Sequence, residues 1–353
     1  LSDTTTAREI LKQARSSADK LQDNYSKSSA LSAIATTYGK LNDYATAKVV
    51  LEQAHTSADK IQDDGQKSLA LREIATAYRS INGSVAARTG LEQIRSSADK
   101  LQNIYNKLLT LSAIATAYSK LSDTTIVKEG LEQVLTSVDK PSVDKLQDDF
   151  PKSSALSAIA TAYSKLSDTT IVKEGLEQVL ISVNKLQNNY PKSFALSAIA
   201  TAYGTLNDLT TAKAVLEQVR ISANKLQADD SKSSALNAIV QSQCEIAKLF
   251  KQQQQPESAR AILDQAEGAI ESIQDVRDIS NPSSVSFKAD ALRHLVQVRV
   301  ELGDWRQANQ LVSQCSGEEC RVLVLAQALK RWAAIKHPEM QKLEEQKQKE
   351  QEE

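Results

Sequence analysis

The sequence predicts an all-α protein, a right-handed solenoid of stacked antiparallel helical hairpins. Two observations carry this expectation. A unit of about forty residues repeats along most of the chain, and each unit holds two stretches of helically spaced apolar residues separated by a capping signal. The stretch "LSAIATAYSKLSDTTIVKEGLEQVL" occurs unchanged from Leu111 and from Leu156, with looser versions from Leu31, Leu71, Leu196 and Leu236. A KLQ or KIQ signal places Leu21, Ile61, Leu101, Leu146, Leu186 and Leu226 at forty-residue steps, with a single step of forty-five. Periods between about 20 and 50 residues mark solenoids or propellers.

Within a unit, Leu31, Ile34, Ala35 and Tyr38 follow the i, i+3, i+4, i+7 pattern of a helix, and Ala47, Leu51, Ala54 and Ala58 repeat it. Helix A is expected over about Lys27 to Leu41 and helix B over about Tyr44 to Gln62. Asn42 and Asp43, Ser122 and Asp123, and Asn207 and Asp208 supply N-cap chemistry before helix B. Asp64, Asp149, Asn189 or Asp230 precede helix A, and Pro151 and Pro191 fall where a first turn tolerates proline. Neither helix can bury its stripe alone, so each hairpin must stack on the next.

Two irregularities test that scheme. "SVDKPSVDKLQ" adds five residues and brings in Pro141, which removes a helical hydrogen bond and clashes with the preceding turn, so a break is expected near Lys140. "NAIVQSQCEIAKLF" adds seven residues to a later helix A, almost two whole turns, which keeps the buried face in phase and lets Phe250 take the role of Tyr203. The domain plan is a solenoid over 1–281, a last divergent repeat and capping helix over 282–337, and a charged tail over 338–353, frayed or disordered. "RDISNPSSVS" reads as a joint, and the glutamines at 252–255 as a solvated turn.

With 41% hydrophobic and 25% charged residues, the 353-residue chain can build a large core, and no stretch approaches a membrane span. A formal net charge of −1 provides no field to hold a polyanion, so nucleic acid is not expected as a partner. Three cysteines are too few for a disulfide framework and suit a reduced compartment, so a cytoplasmic location is expected. Export stays open, because the chain begins without Met at "LSDTTTAREILKQA", which matches the middle of a repeat and implies an upstream segment.

These residues resemble tetratricopeptide repeats. Leu31, Ile34, Ala35, Tyr38, Asn42-Asp43, Ala47, Leu51 and Ala54 match that family's pattern in order and spacing, and "LGDWRQANQLVSQC" from Leu302 matches its second half more closely. Three features depart from it: a forty-residue unit rather than about thirty-four, Leu in place of Trp at the first large position, and no Pro closing helix B. The resemblance implies a concave groove of A helices that binds a peptide or protein. By that geometry its floor carries Ser32, Thr36 and Lys40, then Glu73, Ala77 or Arg79, then Ser112, Thr116 and Lys120, then Ser157, Thr161 and Lys165. A lysine ladder over a hydroxyl floor suits an acidic or extended peptide; the plainer reading is a row of solvated helix ends. A subset of the family clamps carboxylate termini with an Asn on helix A, and Ala33, Ala113, Ala158 and Ala198 stand there instead.

No enzymatic constellation emerges. His55, His294 and His337 are scattered, and HExxH, phosphate-loop and GxSxG motifs do not occur. Cys315 and Cys320 read first as core packing, second as a disulfide and third as half a metal site. The Asp pairs at 63–64, 148–149 and 229–230 read as caps, because a calcium loop needs D-x-D-x-D-G. The expected function is therefore a scaffold without cofactor or metal that binds a protein or peptide. The alternative is the sensor or regulatory arm of a larger enzyme or signalling protein.

Overall fold

The computed structural model describes residues 2–81, 84–143, 146, 148–227, 229–277, 285–315 and 317–336. Among them are sixteen helices and no strand. Helix α1 spans Ser2–Asp19, and hairpins follow as α2 (Asn24–Lys40) with α3 (Tyr44–Asp59), α4 (Asp64–Tyr78) with α5 (Ser84–Asp99), and α6 (Ile104–Tyr118) with α7 (Thr124–Val138). Next come α8 (Phe150–Tyr163) with α9 (Thr169–Asn184), α10 (Asn189–Thr205) with α11 (Leu209–Asn224), α12 (Asp229–Gln252) with α13 (Pro256–Ile270), and α14 (Phe287–Leu302) with α15 (Trp305–Val312). Helix α16 (Glu318–Lys336) follows. The architecture is an all-α solenoid of hairpins, and it divides into two compact units, Leu1–Ala202 and Tyr203–Glu353.

In the first unit each apolar stripe closes on its partner. Leu31, Ala35 and Tyr38 of α2 are buried with Ala47, Val50, Leu51 and Ala54 of α3, and the equivalent sets recur in the following hairpins. Fully burying one Leu or Val of such a set contributes about 1.5–3 kcal/mol. Helix A begins a turn earlier than its periodicity suggests, because Asp23 accepts the Ser26 N–H and caps it. Helix B stops at Asp59, short of Gln62: the Lys60 and Ile61 N–H groups turn back to Ser57 and Ala58, and Ile61 drops into the core. Helix α7 ends at Val138, and Pro141 follows in a turn, as the ring requires.

The polar residues of the repeat tie one hairpin to the next. Lys27, Lys67 and Lys192 each donate to a carbonyl in the last turn of the preceding helix B, at Asp19, Asp59 and Asn184, over 2.7, 3.0 and 3.0 Å. A cation there satisfies a carbonyl without a helical partner and meets the negative end of the helix dipole. Ser97 and Ser137 donate to Asp59 and Asp99 one hairpin back, at 2.7 and 3.1 Å. The paired aspartates divide the work: Asp63 caps α4, while Asp64 accepts the Asn103 N–H of the next loop at 2.6 Å. Asp149 likewise accepts the Gln187 and Asn188 N–H groups and does not cap α8, whose first N–H, that of Phe150, bonds Asp148 at 2.9 Å. The residue expected to cap helix A thus spans two hairpins instead.

In the second unit α12 runs for 24 residues, and Phe250 is fully buried at its end, where the Gln255 N–H bonds the Phe250 carbonyl as Asp208 bonds Tyr203. The glutamines that follow form the exposed turn expected of them, with Gln254 left-handed at φ 59°. One hairpin later Arg299 stands in the ring's place, 2% exposed, held by Asp264 and Glu267 of α13 and by Asp304. Helix α15 has only eight residues. Cys315 and Cys320 then join in a disulfide with Cα atoms 5.5 Å apart, both buried, so the pairing ranked second on the sequence is the one formed. Helix α16 packs on α14 but buries only Cys320 and Val324 of its own apolar residues; it covers one apolar face and presents another. The joint at 278–284, His337 and the charged tail lie outside the described residues.

Candidate interaction surface on the A helices

In the first unit the A helices α2, α4, α6 and α8 lie side by side in direct contact, more closely than the B helices α3, α5, α7 and α9 do. Small side chains permit this: Ala70, Ala75, Ala77, Ala115, Ala117, Ala160 and Ala162 are all buried along the row. The B side is correspondingly open, with a cleft of about 640 Å³ between α7 and α9 lined by Glu132, Asp139, Glu174, Glu177 and the Tyr163 ring.

The residues expected on the groove floor fall into two groups. Ser32 is buried, and its hydroxyl donates to the Ser28 carbonyl at 2.9 Å. Thr36, Thr116 and Thr161 donate to Ser32, Ser112 and Ser157 carbonyls at 2.9, 2.9 and 2.8 Å. These hydroxyls therefore place their hydrogens inside their own helices and offer a visitor only acceptor lone pairs. Ser112 and Ser157 are half-buried. Of the pair read from the second A helix, α4, Ala77 is buried and Glu73 accepts from the Tyr25 hydroxyl at 3.4 Å.

The cations behave differently. Lys40, Arg79, Lys120 and Lys165 are exposed at the carboxyl ends of successive A helices. Lys165 reaches back one hairpin to the Ser119 hydroxyl at 3.3 Å. Its ammonium is held below the usual lysine range by partial desolvation and by the charges of Lys120 and Arg79. Three hairpins thus set three like charges within electrostatic reach of one another, and no carboxylate among the described residues pairs with them. Elsewhere in the unit cations find acids: Lys107 and Lys140 meet Asp99 at 3.1 and 2.8 Å, and Arg88 meets Glu129 at 2.8 Å.

The remaining candidates for chemistry are occupied or inert. His55 contacts Ser97 at 3.0 Å and His294 lies 3.7 Å from Asp290; burial lowers the pKa of both. Burial pushes the Cys244 thiol up to about 12, which leaves almost no thiolate at neutral pH. No cluster of three metal-ligating side chains occurs among the described residues, and no described helix is long and apolar enough to cross a membrane.

The repeat is tetratricopeptide-like. Its hairpins pair an A helix ending on a buried aromatic or its substitute with a B helix that an Asp precedes in α3, α7, α9, α11 and α15, while Gln255 precedes α13, and the order resembles that family's. No family model matches the chain, and no curated protein matches it significantly. Solved structures similar to it include Ton1535 from Thermococcus onnurineus NA1, at 15% identity over 91% of this chain and 84% of that one, with a TM-score of 0.33. A Podosopora anserina putative kinesin light chain with nearly identical TPR-like repeats shares 21% identity over 59% of this chain and 100% of its own, with a TM-score of 0.33. A variant of that same protein shares 22% identity over 56% of this chain and 94% of its own, with a TM-score of 0.32.

What the sequence did not disclose was which lysines stay unpaired. Lys67 and Lys120 look alike in one dimension. Only the fold sets the first beside Asp59 and the second beside Lys165.

Proposed function

We propose that the chain is a non-enzymatic scaffold that binds a protein or peptide along the A-helix row of its first unit. One observation carries this: Lys165 reaches the Ser119 hydroxyl of the preceding hairpin at 3.3 Å, where the charges of Lys120 and Arg79 act on it, and no acid among the described residues pairs with the three. Like charges held together cost free energy that an anionic ligand recovers. The tighter packing of the A helices supports the same side, because two rows of unequal spacing curve toward the closer one. An extended segment rich in Asp and Glu fits, with carboxylates at the ladder and its backbone amides on the hydroxyl acceptors.

The test is fluorescence anisotropy of the whole chain with labelled acidic peptides and neutral peptides of equal length, at low and high salt. The native chain should prefer the acidic set, with affinity falling as salt rises. The triple variant Arg79→Glu/Lys120→Glu/Lys165→Glu should lose that preference while keeping its helicity. Equal binding of both peptide sets, or a preference untouched by the triple variant, removes the proposal.

A further inference from the structure

We propose that the outer face of α16 docks a second copy of this chain, the two α16 helices lying antiparallel about a twofold axis. The face is apolar and regular. Val322, Leu325, Leu329 and Trp332 are 62, 42, 63 and 40% exposed, and their spacing of three, four and three residues is the seam that two helices share in a coiled coil. Beside it, between α15 and α16, lies a cleft of about 290 Å³ whose walls include Trp305, Leu325, Leu329 and Trp332. Both tryptophans of the chain therefore stand at one exposed apolar patch, the kind of surface that marks an interface.

Charge names the occupant. Glu318 and Glu319 begin the helix, where they also meet Arg321 and Arg277 of their own chain at 3.1 and 2.5 Å, all on exposed side chains, and Lys330 and Lys336 stand in its second half. In an antiparallel pair centred on Gln327, Leu325 is level with the second copy's Leu329, Val322 with its Trp332, and Glu318 with its Lys336. Apolar layers then fill the middle and opposite charges close both ends. A parallel pair sets Glu318 against Glu318 and Lys336 against Lys336, which like charges oppose. Ala326 and Ala328 flank the centre, small enough for the helices to approach closely. Arg331 lies off this seam, two residues after Leu329, and pairs with Glu301 of its own chain at 2.7 Å. A twofold contact of this kind is self-complementary and closes as a dimer. It is independent of the A-helix row proposed above, which lies in the first unit.

Sedimentation equilibrium of the full chain tests it. A species of twice 38.5 kDa is expected at micromolar concentration. Leu329→Glu should raise the dissociation constant at least about tenfold with circular dichroism unchanged, because the side chain is mostly exposed. Glu318→Lys alone should weaken the dimer, and Glu318→Lys/Lys336→Glu should restore it. A native chain that stays monomeric to about 100 μM, a dimer indifferent to Leu329→Glu, or a double reversal without rescue would each overturn the proposal.

Discussion

Five hairpins end helix A on a tyrosine, and they divide by where they leave room for it. In α4/α5, α6/α7 and α8/α9 the ring lies over a glycine of its own helix B: a Cβ on Gly90, Gly130 or Gly175 would fall inside the ring of Tyr78, Tyr118 or Tyr163. In α2/α3 and α10/α11 the same position holds Val50 and Val215, both buried. There the glycine moves next to the tyrosine, where a Cβ on Gly39 would meet Ser80 at 2.7 Å and one on Gly204 would meet Ile246 at 2.6 Å. The turns differ in step: the second class closes through left-handed Asn42 and Asn207, φ 59° and 58°, with Asp43 and Asp208 bonding the tyrosine carbonyls. Each hairpin needs one close approach, and the glycine decides whether it is made within the hairpin or to the next one.

The largest effect expected is from removing the ring. Tyr118→Ala should cost roughly 3–5 kcal/mol in urea denaturation, and Tyr38→Ala about the same, because both rings are buried. If only one class shows this loss, the two tyrosines are not equivalent anchors. Next comes the glycine itself. Gly130→Val should cost about 1–3 kcal/mol by overpacking, and adding Ser119→Gly, which copies the other class, should recover part of it. A double variant no better than the single one removes the coupling between the two positions.

Smaller effects separate the ties between hairpins. Asp99 is held below the usual carboxylate range despite its burial, by hydrogen bonds from Lys140 and Lys107. A depressed pKa contributes its full stability above the ordinary value near 4, and that share is lost as pH falls from there through the lowered native value. Asn184 fills the same place in α9. Asp99→Asn should therefore cost about 1.5 kcal/mol near neutral pH and progressively less as acid carries the pH down through the lowered native value, read from paired thermal melts; a cost that does not fall with pH contradicts the charge account. Smallest is Asn42→Ala, about 1 kcal/mol for a left-handed residue with a Cβ and no amide to bond locally, measured the same way.

Much of the fold was legible because its determinants are local. Apolar spacing marked the helices from Leu31 to Ala58, Asp43, Asp123 and Asp208 marked the starts of helix B, and Pro141 marked a break. The misplaced details share one cause, a partner in another hairpin. Asp64 and Asp149 look like caps but bind the following loop, and Ser32 looks like a groove residue but lies beneath the surface. The disulfide was underrated because Cys315 also suits the small core position of Ala54. Of the candidate site, the periodicity of Lys40, Lys120 and Lys165 was visible. That no described carboxylate pairs with them was not, since that depends on side chains forty residues away.

By itself, the sequence determined that the chain is a stack of paired helices, because a forty-residue period with one apolar stripe per helix has no other way to keep those stripes from water. It also determined most helix boundaries, which depend on groups a few residues apart. Only the tertiary structure decided which polar side chains are ties, which cations meet no acid among the described residues, and that α16 turns an apolar seam outward. Those outcomes are set by distances between hairpins, and such distances follow from how closely backbones approach at single glycines, a quantity that no local pattern of residues encodes.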